Sequence, residues 1–84
     1  MNDEHLFEAI VDAILFLELS GPATVDEDAA MGALEQIAAR LQSLPSHERT
    51  RLVDYIQRRA LTSQSDKERQ ALTRLPSSMG WIPE

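Results

Sequence analysis

No cysteine occurs in this chain. That excludes disulfides, thiolate zinc sites and thiol nucleophiles, and it suits a reducing compartment such as the cytosol. Glycine is scarce at three residues, and the aromatics amount to two Phe, one Tyr and one Trp. An all-β fold with many tight turns would need more of both. No long unbroken apolar run exists: the longest segment, Leu6–Leu19, is interrupted by Glu8, Asp12 and Glu18. It is too short and too broken to span a bilayer. The acidic start MNDEHLFE puts no basic region ahead of it, so no signal peptide is expected. No linker, repeat or low-complexity tract divides the chain. The expectation is one cytoplasmic domain over residues 1–84, with no membrane segment.

One further absence shapes the reading. Residues 1–39 contain nine acids and no Lys or Arg, whereas residues 40–84 contain eight basic residues and five acids. The net charge is −6 and the sequence pI about 4.8. Asymmetry of this kind bears on partner choice and steering rather than on fold. It either neutralises itself between packed helices or meets a basic partner. A domain of 84 residues has a stability of roughly 4–13 kcal/mol, so a bound partner contributes appreciably to it.

What is present reads as helix. The first helix is expected from about Asp3 to Glu18 or Leu19, capped by Asn2 or Asp3. Leu6, Ile10, Ala13, Ile14 and Leu17 follow helical spacing as its core face, and Phe7 and Val11 widen it. His5, Glu8 and Asp12 define the opposite face, which turns apolar at Leu15, Phe16 and Leu19. Ser20-Gly21-Pro22 ends this helix, with Gly21 as a left-handed terminator. Thr24-Val25-Asp26-Glu27 fits a capping box opening a second helix, whose inward stripe is Ala30, Ala33, Leu34, Ile37, Leu41 and Leu44. Gly32 within it is either simply tolerated or a point of close approach by a partner.

Leu44-Pro45-Ser46 breaks the chain again, and Ser46 is expected to cap a third helix reaching Leu61 or Thr62. Its stripe is Leu52, Val53, Ile56 and Ala60. Arg49 and Arg59 lie nearer the apolar side, their stems able to pack while their heads reach for the acids of the first two helices. Ser65-Asp66-Lys67-Glu68 is a second capping box, starting a short helix to about Arg74 that Pro76-Ser77-Ser78 stops. A tail bearing Met79, Trp81 and Ile82 is too apolar for a free end. Trp81 and Ile82 are expected to fold back, against the first helix. The fold class is all-α: a small antiparallel bundle of three longer helices, a short fourth helix and a packed C-terminal tail.

No catalytic constellation emerges. His5, Glu8 and Asp12 share one helical face, but that face points away from the apolar stripe. A bundle metal site draws ligands inward from several helices. His47 has no nucleophile beside it in sequence. There is no phosphate-binding glycine loop. Nucleic-acid binding through Arg49, Arg51, Arg58 and Arg59 is disfavoured by the acidic balance of the whole domain. The expectation is a non-enzymatic chain with no metal or cofactor.

The remaining class is protein binding. An acidic surface made by Glu8, Asp12, Asp26, Asp28 and Glu35 would meet a basic partner, with Leu15, Phe16, Leu19 and Tyr55 as apolar anchors. In length, in the basic-free span MNDEHLFEAIVDAILFLELSGPATVDEDAAMGALEQIAA and in its helix layout, the chain resembles the small acidic helical immunity proteins that bacteria make against their own toxins. The resemblance is one of type over the whole chain, and it implies a toxin partner whose active site or neighbouring surface is occluded. The colicin-nuclease immunity group has a Tyr-Tyr pair near its short third helix. This chain has only Tyr55, on a long helix, so no binding residues carry over. A structural homodimer, with the first helix at the interface, and a small adaptor remain open beside it.

Overall fold

The computed structural model describes residues 3–81. Four helices follow one another: α1 (Glu4–Leu19), α2 (Glu27–Gln42), α3 (Ser46–Thr62) and α4 (Asp66–Ser78). No strand occurs among the described residues. The fold is a small all-α bundle, as the helical spacing of the apolar residues predicts. α4 packs most extensively on α3, α1 touches all three other helices, and α2 joins the bundle chiefly through α1.

The core is built from Phe7, Val11, Ile14 and Leu15 of α1, Leu52, Val53, Ile56 and Ala60 of α3, Ala71, Leu72 and Leu75 of α4, and Trp81. The α3 stripe matches its expected residues one for one. The α1 face does not. Leu6 is 58% exposed and Ala13 is also exposed, while Phe7 and Val11 are central rather than peripheral. α1 has two adjacent apolar stripes, and the one carrying Phe7, Val11, Ile14 and Leu15 fills the space against α3 and α4. On α2 only Ala30 is buried. Leu34, Ile37 and Leu41 pack against the core but stay half-buried.

The helix ends show how local chemistry positions these elements. Asp3 precedes α1 without a side-chain cap bond; its carboxylate instead pairs with Arg51 at 2.7 Å. The alternative cap, Asn2, lies outside the described residues. Ser20 ends α1 in extended conformation. Gly21 has no positive φ; it opens a turn in which its carbonyl accepts from Thr24 and Val25. Thr24 therefore lies in the turn, and the cap of α2 is Asp26, whose Oδ2 accepts from the Ala29 amide at 2.9 Å. A carboxylate there also suits the positive helix end, so the capping box two residues earlier is not used. Pro45, not Ser46, occupies the N-cap of α3. Ser65 does cap α4, accepting from Glu68 N–H at 3.3 Å. Glu68 turns away from closing the box and accepts instead from Ser63 and Arg59.

Pro76 does not stop α4. The helix passes through it to Ser78. The missing N–H forfeits one hydrogen bond, while the ring is fully buried. The stop comes from Gly80, at φ +76°. Gly80 N–H donates to Ser77 C=O at 3.0 Å and Trp81 N–H donates to Pro76 C=O at 2.9 Å, the two bonds of a Schellman ending. This reversal swings Trp81 back to the bundle. Gly80→Ala is expected to lower stability by about 1–2 kcal/mol, because an L side chain pays that much in the left-handed region. Chemical denaturation would measure it, and an unchanged midpoint would contradict the turn's role.

Trp81 is buried and its Nε1–H donates to the Ala38 carbonyl at 3.4 Å. The tail thus folds back as expected, but the indole hydrogen bond is to α2, not α1. Ile82 lies outside the described residues.

Candidate protein-binding surface

The acids of the first half have two fates. Those of α1 and its cap largely meet α3. Arg51 pairs with Asp3 at 2.7 Å and Arg58 with Glu4 at 3.6 Å. Arg59 pairs with Asp12 at 2.7 Å and with Glu68 at 3.0 Å. Arg58 also lies 3.9 Å from Asp54 one turn away. The exposed pairs among these contribute about 0–1 kcal/mol each, so they place the helices more than they stabilise them.

Arg59 is the centre of this network. Its guanidinium also donates to the Tyr55 hydroxyl at 3.4 Å. Burial alone would lower its pKa, but hydrogen bonds to Asp12, Tyr55 and Glu68, with the Asp12 charge, outweigh that and hold it above its usual value. It stays cationic throughout the accessible pH range. Arg49 serves differently. It donates to the carbonyls of Gln42 at 2.9 Å and Leu44 at 3.4 Å, completing the C-terminal end of α2, where a cation also suits the negative pole. The α3 arginines are thus largely occupied inside the molecule.

The acids of α2 stand apart. Glu27, Asp28 and Glu35 are exposed and make no ion pair among the described residues, and the same holds for Glu8 and Glu18 of α1. Of the acids expected at a surface, Glu8, Asp28 and Glu35 are therefore open. Asp12 is held by Arg59, and Asp26 is a helix cap.

The expected anchors divide in the same way. Phe16 is 55% exposed and Leu19 39%. Leu15 is only 7% exposed and belongs to the core, because it lies on the α1 edge facing the other helices. Tyr55 is half-buried, with its ring 5.9 Å from that of Phe7 and its hydroxyl engaged by Arg59. It supports the core rather than standing open. His5, Glu8 and Asp12 do not form a metal-binding group, and no such group occurs among the described residues.

Two concavities are notable. One, of about 790 Å³, is polar and lies among Glu8, Tyr55, Arg58, Arg59, Ser63 and Glu68, with Glu4 and Leu61 also at its walls. The other, of about 390 Å³, is a groove between α1 and α2 lined by Ala9, Ile10, Ala13, Ile37, Arg40 and Leu41. Its α1 wall belongs to the second apolar stripe, which Leu6 and Phe16 extend at either end. Sequence reasoning placed Leu6, Ile10 and Ala13 in the core; Ile10 does pack against it half-buried, while Leu6 and Ala13 are exposed. The signal that both faces of α1 are apolar was present, but nothing in the chain order says which of them other helices cover.

No protein-family model, curated protein or solved structure matches this chain. Among the described residues no helix is long and apolar enough to cross a membrane.

Proposed function

We propose that this protein is a non-catalytic binding module that captures a protein partner with a basic surface. The observation that supports it is the second apolar stripe of α1: Leu6 and Phe16, both more than half exposed, stand in one row with the exposed Ala9 and Ala13. An exposed apolar row on a helix pair that also carries unpaired carboxylates suits an association surface. Glu8, Asp28 and Glu35 supply long-range attraction, which acts mainly on association rate and partner choice. In the finer form of this proposal the chain is a cytoplasmic bacterial immunity protein, and the partner is a toxin that it neutralises by occlusion. The likeness in size, charge and layout to such proteins supports that form.

Reversing Glu8, Asp28 and Glu35 together to Lys is expected to weaken partner binding at least about tenfold at low salt, with little change in melting temperature, since none of the three holds another group. Asp12 and Asp26 are left intact because they serve Arg59 and the α2 cap. The partner can be recovered by crosslinking, expressed, and titrated against both forms. Equal affinities at low salt would defeat the acidic-surface reading. For the finer form, co-expression with the product of the gene immediately upstream should restore growth if that product is toxic. Failure to bind it or to restore growth would count against a toxin encoded there.

A further inference from the structure

We propose that α2 is a detachable cover: it lifts from α1 as a unit while α1, α3 and α4 stay packed together. Burial divides the molecule in this way. α1, α3 and α4 each contribute four buried residues, whereas α2, sixteen residues long, contributes only Ala30. Leu34, Ile37 and Leu41 reach the core but stay half-buried. The seam between α1 and α2 is left unfilled by the groove of about 390 Å³. No ion pair fastens α2 to another helix among the described residues.

The polar ties of α2 show where it pivots. Trp81 Nε1–H donates to the Ala38 carbonyl and Arg49 to the Gln42 carbonyl. Both bonds hold the C-terminal half of α2, next to the turn Ser43-Leu44-Pro45. The N-terminal half is held by apolar contacts alone, and it hangs on residues 20–26, a segment without helix that gives slack for movement. A single helix of this length is marginal in water, so lifting it from α1 also opens its backbone hydrogen bonds. Lifting bares Ile10, which lines the seam, beside the already exposed Leu6, Ala9, Ala13 and Phe16. The open form therefore presents a wider apolar row on α1 than the closed form.

The test is native-state hydrogen exchange of the full chain, followed by ¹H–¹⁵N NMR, with Ile56→Val as its second arm. Amides of residues 31–42 are expected to exchange at least about tenfold faster than the slowest amides of α3, because local opening costs less than global unfolding. Ile56 is fully buried on α3, and its truncation to Val is mild enough for the chain to fold. It should speed the slowest α3 and α4 amides severalfold and leave the α2 rates unchanged, since α2 opens without unfolding α3. α2 amides as slow as those of α3 would overturn the proposal. So would parallel acceleration of α2 and α3 in Ile56→Val, which would mean that α2 leaves only when the whole bundle unfolds.

Discussion

Ile14→Ala is expected to lower unfolding free energy by about 2–5 kcal/mol, while Leu6→Ala, on the same helix, should change it by less than about 0.5 kcal/mol. Ile14 is fully buried and Leu6 58% exposed. Truncating Ile14 removes apolar atoms from the core cluster it shares with Leu52, Ile56 and Leu72, so lost transfer energy and a residual cavity add. Truncating Leu6 removes surface that water already touches. Against a total near 4–13 kcal/mol, the first change is severe. Urea denaturation of both variants decides the matter. Equal losses would mean that α1 is rotated about its axis from the orientation described, with Leu6 in the core and the groove closed.

The second large effect is at Trp81. Trp81→Ala should cost about 3–5 kcal/mol, and the loss should be uneven. α2 has one buried residue and reaches the rest of the bundle chiefly through α1. Trp81, through its bond to the Ala38 carbonyl, ties α2 to the end of α4. Arg49 holds the other tie, at the α2 C-terminal end. Removing the indole should raise amide hydrogen exchange across α2 more than across α3, because local opening follows where buried contacts are fewest. Trp81→Phe should recover much of the stability by refilling the space. A melting curve unchanged by Trp81→Ala would show that the tail does not hold the bundle together. Since α2 forms one wall of the groove, the alanine variant should also weaken any ligand bound there.

Most of the fold was legible in residue order, for reasons that are local. Helical spacing of Leu52, Val53, Ile56 and Ala60 specifies the buried stripe of α3 because only one side of that helix is apolar. Ser65 marks the start of α4 because its hydroxyl reaches an amide three residues on. The helix ends were less legible. Asp26 prevailed over Thr24 as a cap, since a carboxylate is the stronger acceptor at a positive helix end. Pro76 read as a stop, but the helix runs two residues past it with the proline ring fully buried. The turn belongs to Gly80, whose positive φ is what reverses the chain.

The candidate surface was legible only in part. Phe16, Leu19, Glu8, Asp28 and Glu35 stand exposed where the polar side of the first two helices placed them. Leu15 and Tyr55 did not remain open, and Leu6 and Ala13 did not become core.

The sequence alone determined the all-α class, the placing of four helices and the segregation of acid from base. Each depends on residues within a turn or two of one another, or on simple counting. Tertiary structure decided which stripe of α1 is covered, which acids the α3 arginines occupy and which remain free, and where Trp81 lands. Those outcomes depend on how helices distant in sequence pack. An apolar stripe reads the same in the sequence whether a neighbour or water lies against it, and so does a carboxylate whether or not a guanidinium arrives within 3 Å.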